Sequence, residues 1–158
     1  MLRELAMKIL VDADSCPKPV RELILRSARR TKIPLVFAAN MPIPRIDNDT
    51  IMEICSKDEG SADRRIIELA NPGDLAVTRD LPLAEQLVEA GVNVLDDRGR
   101  IFTRDNIKYY RSIRDFSVDL ATSGLEVVRH PNYGKKELKG FADSLDRELT
   151  RLIKSQSF

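Results

Sequence analysis

The stretch "KILVDADSC", residues 8–16, constrains this chain more than any other: an apolar run leads without a break into two carboxylates, Asp12 and Asp14. A run of that kind suits a strand covered on both faces of a parallel sheet. Charges at its end require compensation, because an unpaired carboxylate is costly away from water. The strand must therefore finish at a rim where something receives both acids.

The rest of the first two thirds alternates in a matching way. "PKPVRELILRSARR" places Val20, Leu23, Ile24 and Ala28 on one helical face, with Pro17 and Pro19 at its entrance. "IPLVFAAN" and "TIMEICS" read as strands on either side of the connector "MPIPRIDND". "SADRRIIELA" predicts a helix capped by Ser61, with Asp63 in its first turn, closed by "NPGD". "LAVTRD" follows as a strand, "LPLAEQLVEAG" as a helix stopped at Gly91, and "VNVLDD" as another strand. Such alternation predicts an α/β fold with a mainly parallel central sheet covered by helices. From about residue 103 the pattern turns helical: one helix from Thr103 to near Gly124, then a connection marked by Pro131 and Gly134. A last amphipathic helix aligns Leu138, Phe141, Leu145, Leu149, Leu152 and Ile153.

With 158 residues, 42% of them hydrophobic, the chain suits one domain over 1–158. Lys+Arg 26 against Asp+Glu 25 leaves a net charge of +1, so any polyanion site is a local patch and not a basic coat. No apolar run approaches the roughly 18 residues of a membrane span. Cys16 and Cys55, without a signal-like leader, point to a reduced cytoplasmic protein with buried thiols. They lack paired zinc-ligand spacing, His130 stands alone, and no glycine-rich phosphate loop is present.

Ligands of open parallel sheets sit beyond the carboxyl ends of the strands. Asp12 and Asp14, Asp80, and Asp96 with Asp97 all fall at such ends, while Asp63 opens a helix. Residues 12 and 14 would share one side of an extended strand. Like charges so placed repel, and a hard divalent ion, Mg2+ or Mn2+, would resolve the repulsion. Each acid also has a structural alternative: Asp14 and Asp80 as helix caps, Asp63 on first-turn amides, Asp96 and Asp97 in a turn before Gly99.

The motifs "VDADSCPKPV", "GSADRRI", "GDLAVTRDLPLAEQLVEAG", "RG" at 98–99 and "RDFSVDLATSG" resemble, in order, those of the bacterial YaiI/YqxD-like proteins, a family related to the PIN-like nucleases. The resemblance runs from about residue 9 to residue 124 and more loosely over the last helix. It implies a three-layer PIN-like fold with Asp12, Asp14, Asp63 and Asp80 as catalytic acids, of which Asp12, Asp63 and Asp80 would hold the metal and Asp14 would be either a direct ligand or an orienter behind them. Where the family carries Asn-Pro-Arg-Gly this chain has "DDRG", so Asp96 stands at the Asn position. Asp97 replaces the Pro, and either adds a metal-facing carboxylate or only changes the turn. The implied activity is metal-dependent hydrolysis of phosphodiester bonds in RNA or single-stranded nucleic acid.

A polyanion also needs cations. "RGRIFTRDNIKYYRSIR" offers Arg98, Arg100, Arg104, Lys108, Arg111 and Arg114 with Tyr109 and Tyr110 between them, and Arg64 and Arg79 flank candidate acids. Ser15 and Thr78 are expected to make structural hydrogen bonds. Two other readings compete: a non-catalytic RNA- or nucleotide-binding module, and a phosphatase using Asp12 as nucleophile, although "DADSC" lacks the usual glycine-threonine continuation. A homodimer through the helical C-terminal half is a further expectation.

Overall fold

The computed structural model describes residues 7–40, 50–54, 60–122 and 133–156. A six-stranded sheet runs through them, built from β1 (Ile9–Asp12), β2 (Leu35–Ala39), β3 (Thr50–Ile54), β4 (Leu75–Val77), β5 (Asn93–Leu95) and β6 (Ile101–Phe102). Five helices cover it: α1 (Lys18–Thr31), α2 (Ser61–Leu69), α3 (Leu81–Glu89), α4 (Ile107–Thr122) and α5 (Lys135–Gln156). The strand order is β3-β2-β1-β4-β5-β6. All neighbours are parallel except β6, which pairs antiparallel with β5. The α/β architecture with a mostly parallel, helix-covered sheet is thus as the alternating pattern predicts.

Residue parity assigns the two faces. Ile9 and Val11 join Leu35, Phe37, Leu75 and Val77 in a core closed by Val20, Ile24 and Ala28 of α1 and by Phe141, Leu145, Leu149 and Leu152 of α5. Leu10 joins Val36, Ala76 and Val94 in the opposite core, closed by Ala62 and Ile66 of α2, by Leu83, Ala84, Leu87 and Val88 of α3, and by Ile107. With both faces covered, β1 is buried along its whole length, and successive side chains must alternate between the two cores. Asp12 shares the parity of Leu10, on the side of α2 and α3.

Connections leave β1 in opposite lateral directions, to β2 on one side and eventually to β4 on the other. That reversal opens a crevice at the carboxyl edge between β1 and β4. At the opposite edge, Asp74 is buried and accepts from Lys8 N (3.1 Å), Lys8 Nζ (2.7 Å) and Asn71 N (2.9 Å), fastening the start of β4 to the residue that precedes β1.

Several local expectations shift. Strand β1 stops at Asp12 and the chain turns through a 3-10 segment at Ala13–Ser15, so Asp14 does not extend the strand. The first turn of α2 follows Gly60 in the left-handed region (φ 78), with Ser61 already helical and no side-chain cap. The "RGRIF" segment supplies β6, which the basic pattern concealed, and the next helix begins at Ile107 instead of Thr103. Thr103 and Asn106 bond each other across that delay. The connector at 41–49, Cys55 and His130 lie outside the described residues. Among those described, no helix is long and apolar enough to cross a membrane.

The turn from β5 to β6 is pressed against α5 at Gly99. Its φ is +86, and a Cβ there would stand 2.4 Å from Gly140 O and 2.7 Å from Ser144 Oγ. Gly73 has a similar φ of +91 but nothing within 4 Å. Gly99→Ala should therefore lower stability by about 3 kcal/mol or more, and Gly73→Ala by only about 1 kcal/mol, from backbone strain alone. Urea unfolding of the two variants beside the parent checks the contrast.

Candidate functional site

Asp12, the last residue of β1, is 6% exposed. Its Oδ2 accepts from Thr78 Oγ1 (3.0 Å) and Ser15 Oγ (3.0 Å), so two hydroxyls replace the water it has lost. Thr78 Oγ1 also accepts from Asp80 N (3.0 Å), and the Thr78 amide bonds Leu95 O. One threonine thereby joins the ends of β1, β4 and β5. Burial pushes the Asp12 carboxyl up from its ordinary value; the two hydroxyls oppose the shift, and the charges of Asp80 and Asp14 add to it.

Three more carboxylates reach the same hollow. Asp80 is the N-cap of α3 and accepts from Leu83 N (3.0 Å), as its alternative reading predicts. Asp14, on the 3-10 turn, accepts from the amide of Asn40 just beyond β2 (2.8 Å) and caps no helix. Asp63, in the first turn of α2, hydrogen-bonds Asp80. Together with Ser15, Asn40, Gly60 and Ala62 they line a cavity of about 430 Å3 at the β1/β4 crevice. Asn40 Oδ1 is buried there without a hydrogen-bond partner among the described residues. Sequence reasoning missed Asn40 and Gly60 as lining residues. Asn40 follows a strand that ends on the same rim, a signal that was available.

The Asp63 carboxyl is pushed up to about 6, chiefly by burial, then by the charges of Asp80 and Asp12 and by the hydrogen bond to Asp80; Arg64 pulls the other way. Asp63 therefore keeps its proton to a higher pH than an ordinary aspartate does. The Cys16 thiol, pushed up to about 12 mainly by burial, is no nucleophile.

Asp96 and Asp97 do not join the cavity. Asp96 Oδ1 accepts from Arg98 N (2.9 Å) and Arg100 N (2.8 Å), closing the turn before β6. Asp97 pairs with Arg79 in a smaller crevice lined also by Asp12, Ser15, Cys16, Val77 and Thr78. Among the described residues no three His, Cys, Asp or Glu side chains are grouped so that they could hold a metal ion. This overturns the expected Mg2+ or Mn2+ site at Asp12, Asp14, Asp63, Asp80 and Asp97, and the description of the chain as metal-binding. The physical reason lies in the partners: these carboxylates are already bonded to hydroxyls, amides, a guanidinium or one another.

The predicted cations divide. Arg64 and Arg79 adjoin the acids. Arg98 pairs with Glu137 (3.7 Å), Arg100 with Asp96 (3.5 Å) and with the Tyr110 ring (4.8 Å), and Arg111 with Glu85 (3.0 Å). Arg104 donates to Glu89 O (3.4 Å), and Lys108 is exposed on α4. The basic stretch is thus largely spent on bracing β6 and α4, although Tyr109 stays 64% exposed.

Fold and site define a mostly parallel α/β protein with a carboxylate-lined cavity at its topological switch point. The chain belongs to the family described as "Uncharacterized BCR, YaiI/YqxD family", whose profile matches residues 10–151. It is 44% identical over 150 residues to a UPF0178 protein of Treponema denticola, covering 95% of this chain and 96% of that one. A UPF0178 protein of Myxococcus xanthus is 45% identical over 152 residues, covering 95% and 99%. No solved structure matches the chain.

Two measurements follow from this geometry. Thr78→Val keeps the shape but leaves Asp12 one donor short and Asp80 N without its acceptor, and should cost about 2–3 kcal/mol in urea unfolding at pH 7. Asp63 is harder to ionise folded than unfolded, so stability falls as pH rises from about 4 to about 6 and the penalty persists above. Asp63→Asn should therefore be more stable than the parent at pH 7.5, by about 1–2 kcal/mol once partial solvation is discounted. That gain should vanish by pH 4.

Proposed function

We propose that the acidic cavity is the reaction centre of an enzyme that cleaves phosphodiester bonds in RNA or single-stranded nucleic acid. The observation that carries this reading is the convergence of Asp12, Asp14, Asp63 and Asp80 on one cavity at the switch point, where the Asp63 carboxyl is pushed up to about 6. A carboxyl that keeps its proton above the ordinary range, set among other carboxylates, suits general acid–base work. Asp63 supplies the proton to the departing oxygen. Asp12, aligned by Thr78 and Ser15, accepts one from the attacking water or hydroxyl. The resemblance of the motifs to PIN-like nucleases supports the same substrate class.

Purified protein is assayed against labelled single-stranded RNA, single-stranded DNA and a duplex between pH 5 and 8. Cleavage of single strands is expected, weakening about tenfold per pH unit above pH 6 as Asp63 loses its proton. Asp12→Asn and Asp63→Asn should each lower the rate by about a hundredfold or more. Binding without cleavage of any strand would overturn the enzyme reading in favour of a binding module. Cleavage that a chelator abolishes would keep the substrate class and overturn this account of proton transfer.

A further inference from the structure

Four carboxylates repel a phosphodiester, so a cavity that accepts one needs a cation fixed at its edge. Arg79 stands between Thr78, which bonds Asp12, and Asp80, which caps α3, so its backbone is held by the site itself. Its guanidinium Nη2 donates to Asp97 Oδ2. The two side chains differ sharply in exposure, 53% for Arg79 and 7% for Asp97. Their crevice shares Asp12 and Ser15 with the acidic cavity, so the cation stands at a crevice bordering the proposed reaction centre.

Asp97 in turn is held in place from below. Tyr133 donates its hydroxyl to Asp97 O (2.7 Å), and the Arg98 guanidinium lies 5.8 Å over the Tyr133 ring. Asp96 closes the turn on the next residues, and Gly99 lets that turn sit against Gly140 of α5. A carboxylate this buried is costly unless a cation answers it. A guanidinium held through one nitrogen still has donors left for the oxygens of a phosphate. Arg98, Arg100 and Arg111 pair instead with acids outside the cavity lining.

We propose that Arg79 is the phosphate anchor beside the acidic cavity and that Asp97 is its positioning residue, holding the guanidinium in the crevice that borders Asp12 and Ser15. The inference rests on the proposed nucleic-acid reading of that cavity. It deepens that reading by assigning the contact that tolerates a polyanion there, and it gives the "DDRG" departure a role in place of metal ligation.

The test measures binding of a fluorescently labelled, uncleavable 2′-O-methyl oligoribonucleotide by anisotropy across a salt series, with cleavage of the unmodified strand in parallel. Arg79→Gln should raise Kd about tenfold or more and reduce the slope of log affinity against log salt by about 0.7, one phosphate contact on a single strand. Arg79→Lys should restore the slope but only part of the affinity, because the charge returns without the planar donor set. Asp97→Asn should raise KM more than it lowers kcat. In the Arg79→Gln background it should add nothing, the result expected if it acts only through Arg79. Arg30→Gln, at the far end of α1, is the control for charge alone.

Parent protein that neither binds nor cleaves would overturn the nucleic-acid reading. Parent protein that cleaves while Arg79→Gln binds equally well would overturn the anchor and leave that reading standing. Additive effects of the Arg79 and Asp97 changes would overturn the positioning role. Should Asp97→Asn fail to fold, Asp97→Glu takes its place in the cycle, with the same outcomes.

Discussion

The hydrogen bond between Thr78 Oγ1 and Asp12 Oδ2 is the interaction around which the carboxyl edge is organised. Strand β1 is one of the two central strands of a sheet covered on both sides, and it ends in a carboxylate that has lost nearly all its water. Without donors at that point the most buried strand would terminate in an uncompensated charge. Thr78 provides one donor from across the crevice and passes the connection to Asp80 N, so a solvation requirement also fixes the spacing of β1, β4 and the start of α3. Ser15 provides the other, after the 3-10 turn has bent the chain back.

This arrangement makes the carboxylates unequal, and the inequality is chemically useful. Asp14 and Asp80 each accept a backbone amide. Asp63 is pushed up to about 6 by burial first, then by the charges of Asp80 and Asp12, with Arg64 opposing. Residues of one type thereby acquire different surroundings from burial and partners together. The same partners explain why the acids do not assemble into a metal site among the described residues.

A second chain of contacts reaches the cavity from the far side of the sheet. Helix α5 packs on the α1 face through Phe141, Leu145 and Leu149, yet Gly140 and Ser144 also meet Gly99 in the β5–β6 turn. That turn carries Asp97 beneath Arg79. The positions of "DDRG" serve distinct ends: Asp96 closes the turn, Asp97 takes the guanidinium, Arg98 reaches Glu137 and Tyr133, and Gly99 permits the close approach. The C-terminal helix is therefore mechanically continuous with the rim of the site.

Much of the architecture was legible from periodicity. The continuous apolar runs of β1 and β2, the 3.6-residue spacing in α1 and α5, and the alternation of the two patterns are local properties that burial requires of any such sheet. Asp80 as a cap was legible too, because capping depends on the three residues that follow. Strand β6 was not: two residues inside a basic stretch carry no periodicity, and β6 exists because β5 offers it an edge. The sequence by itself determined the order of strands and helices, the apolar runs that are buried, and that several carboxylates would fall at strand ends. Only the tertiary structure decided which donor each carboxylate meets, and with it the separation of Asp97 from the cavity, the raised Asp63 carboxyl, and the lack of a metal-holding group among the described residues. Burial is a property of single residues, whereas a carboxylate's chemistry depends on partners such as Thr78 for Asp12, 66 positions away in the chain.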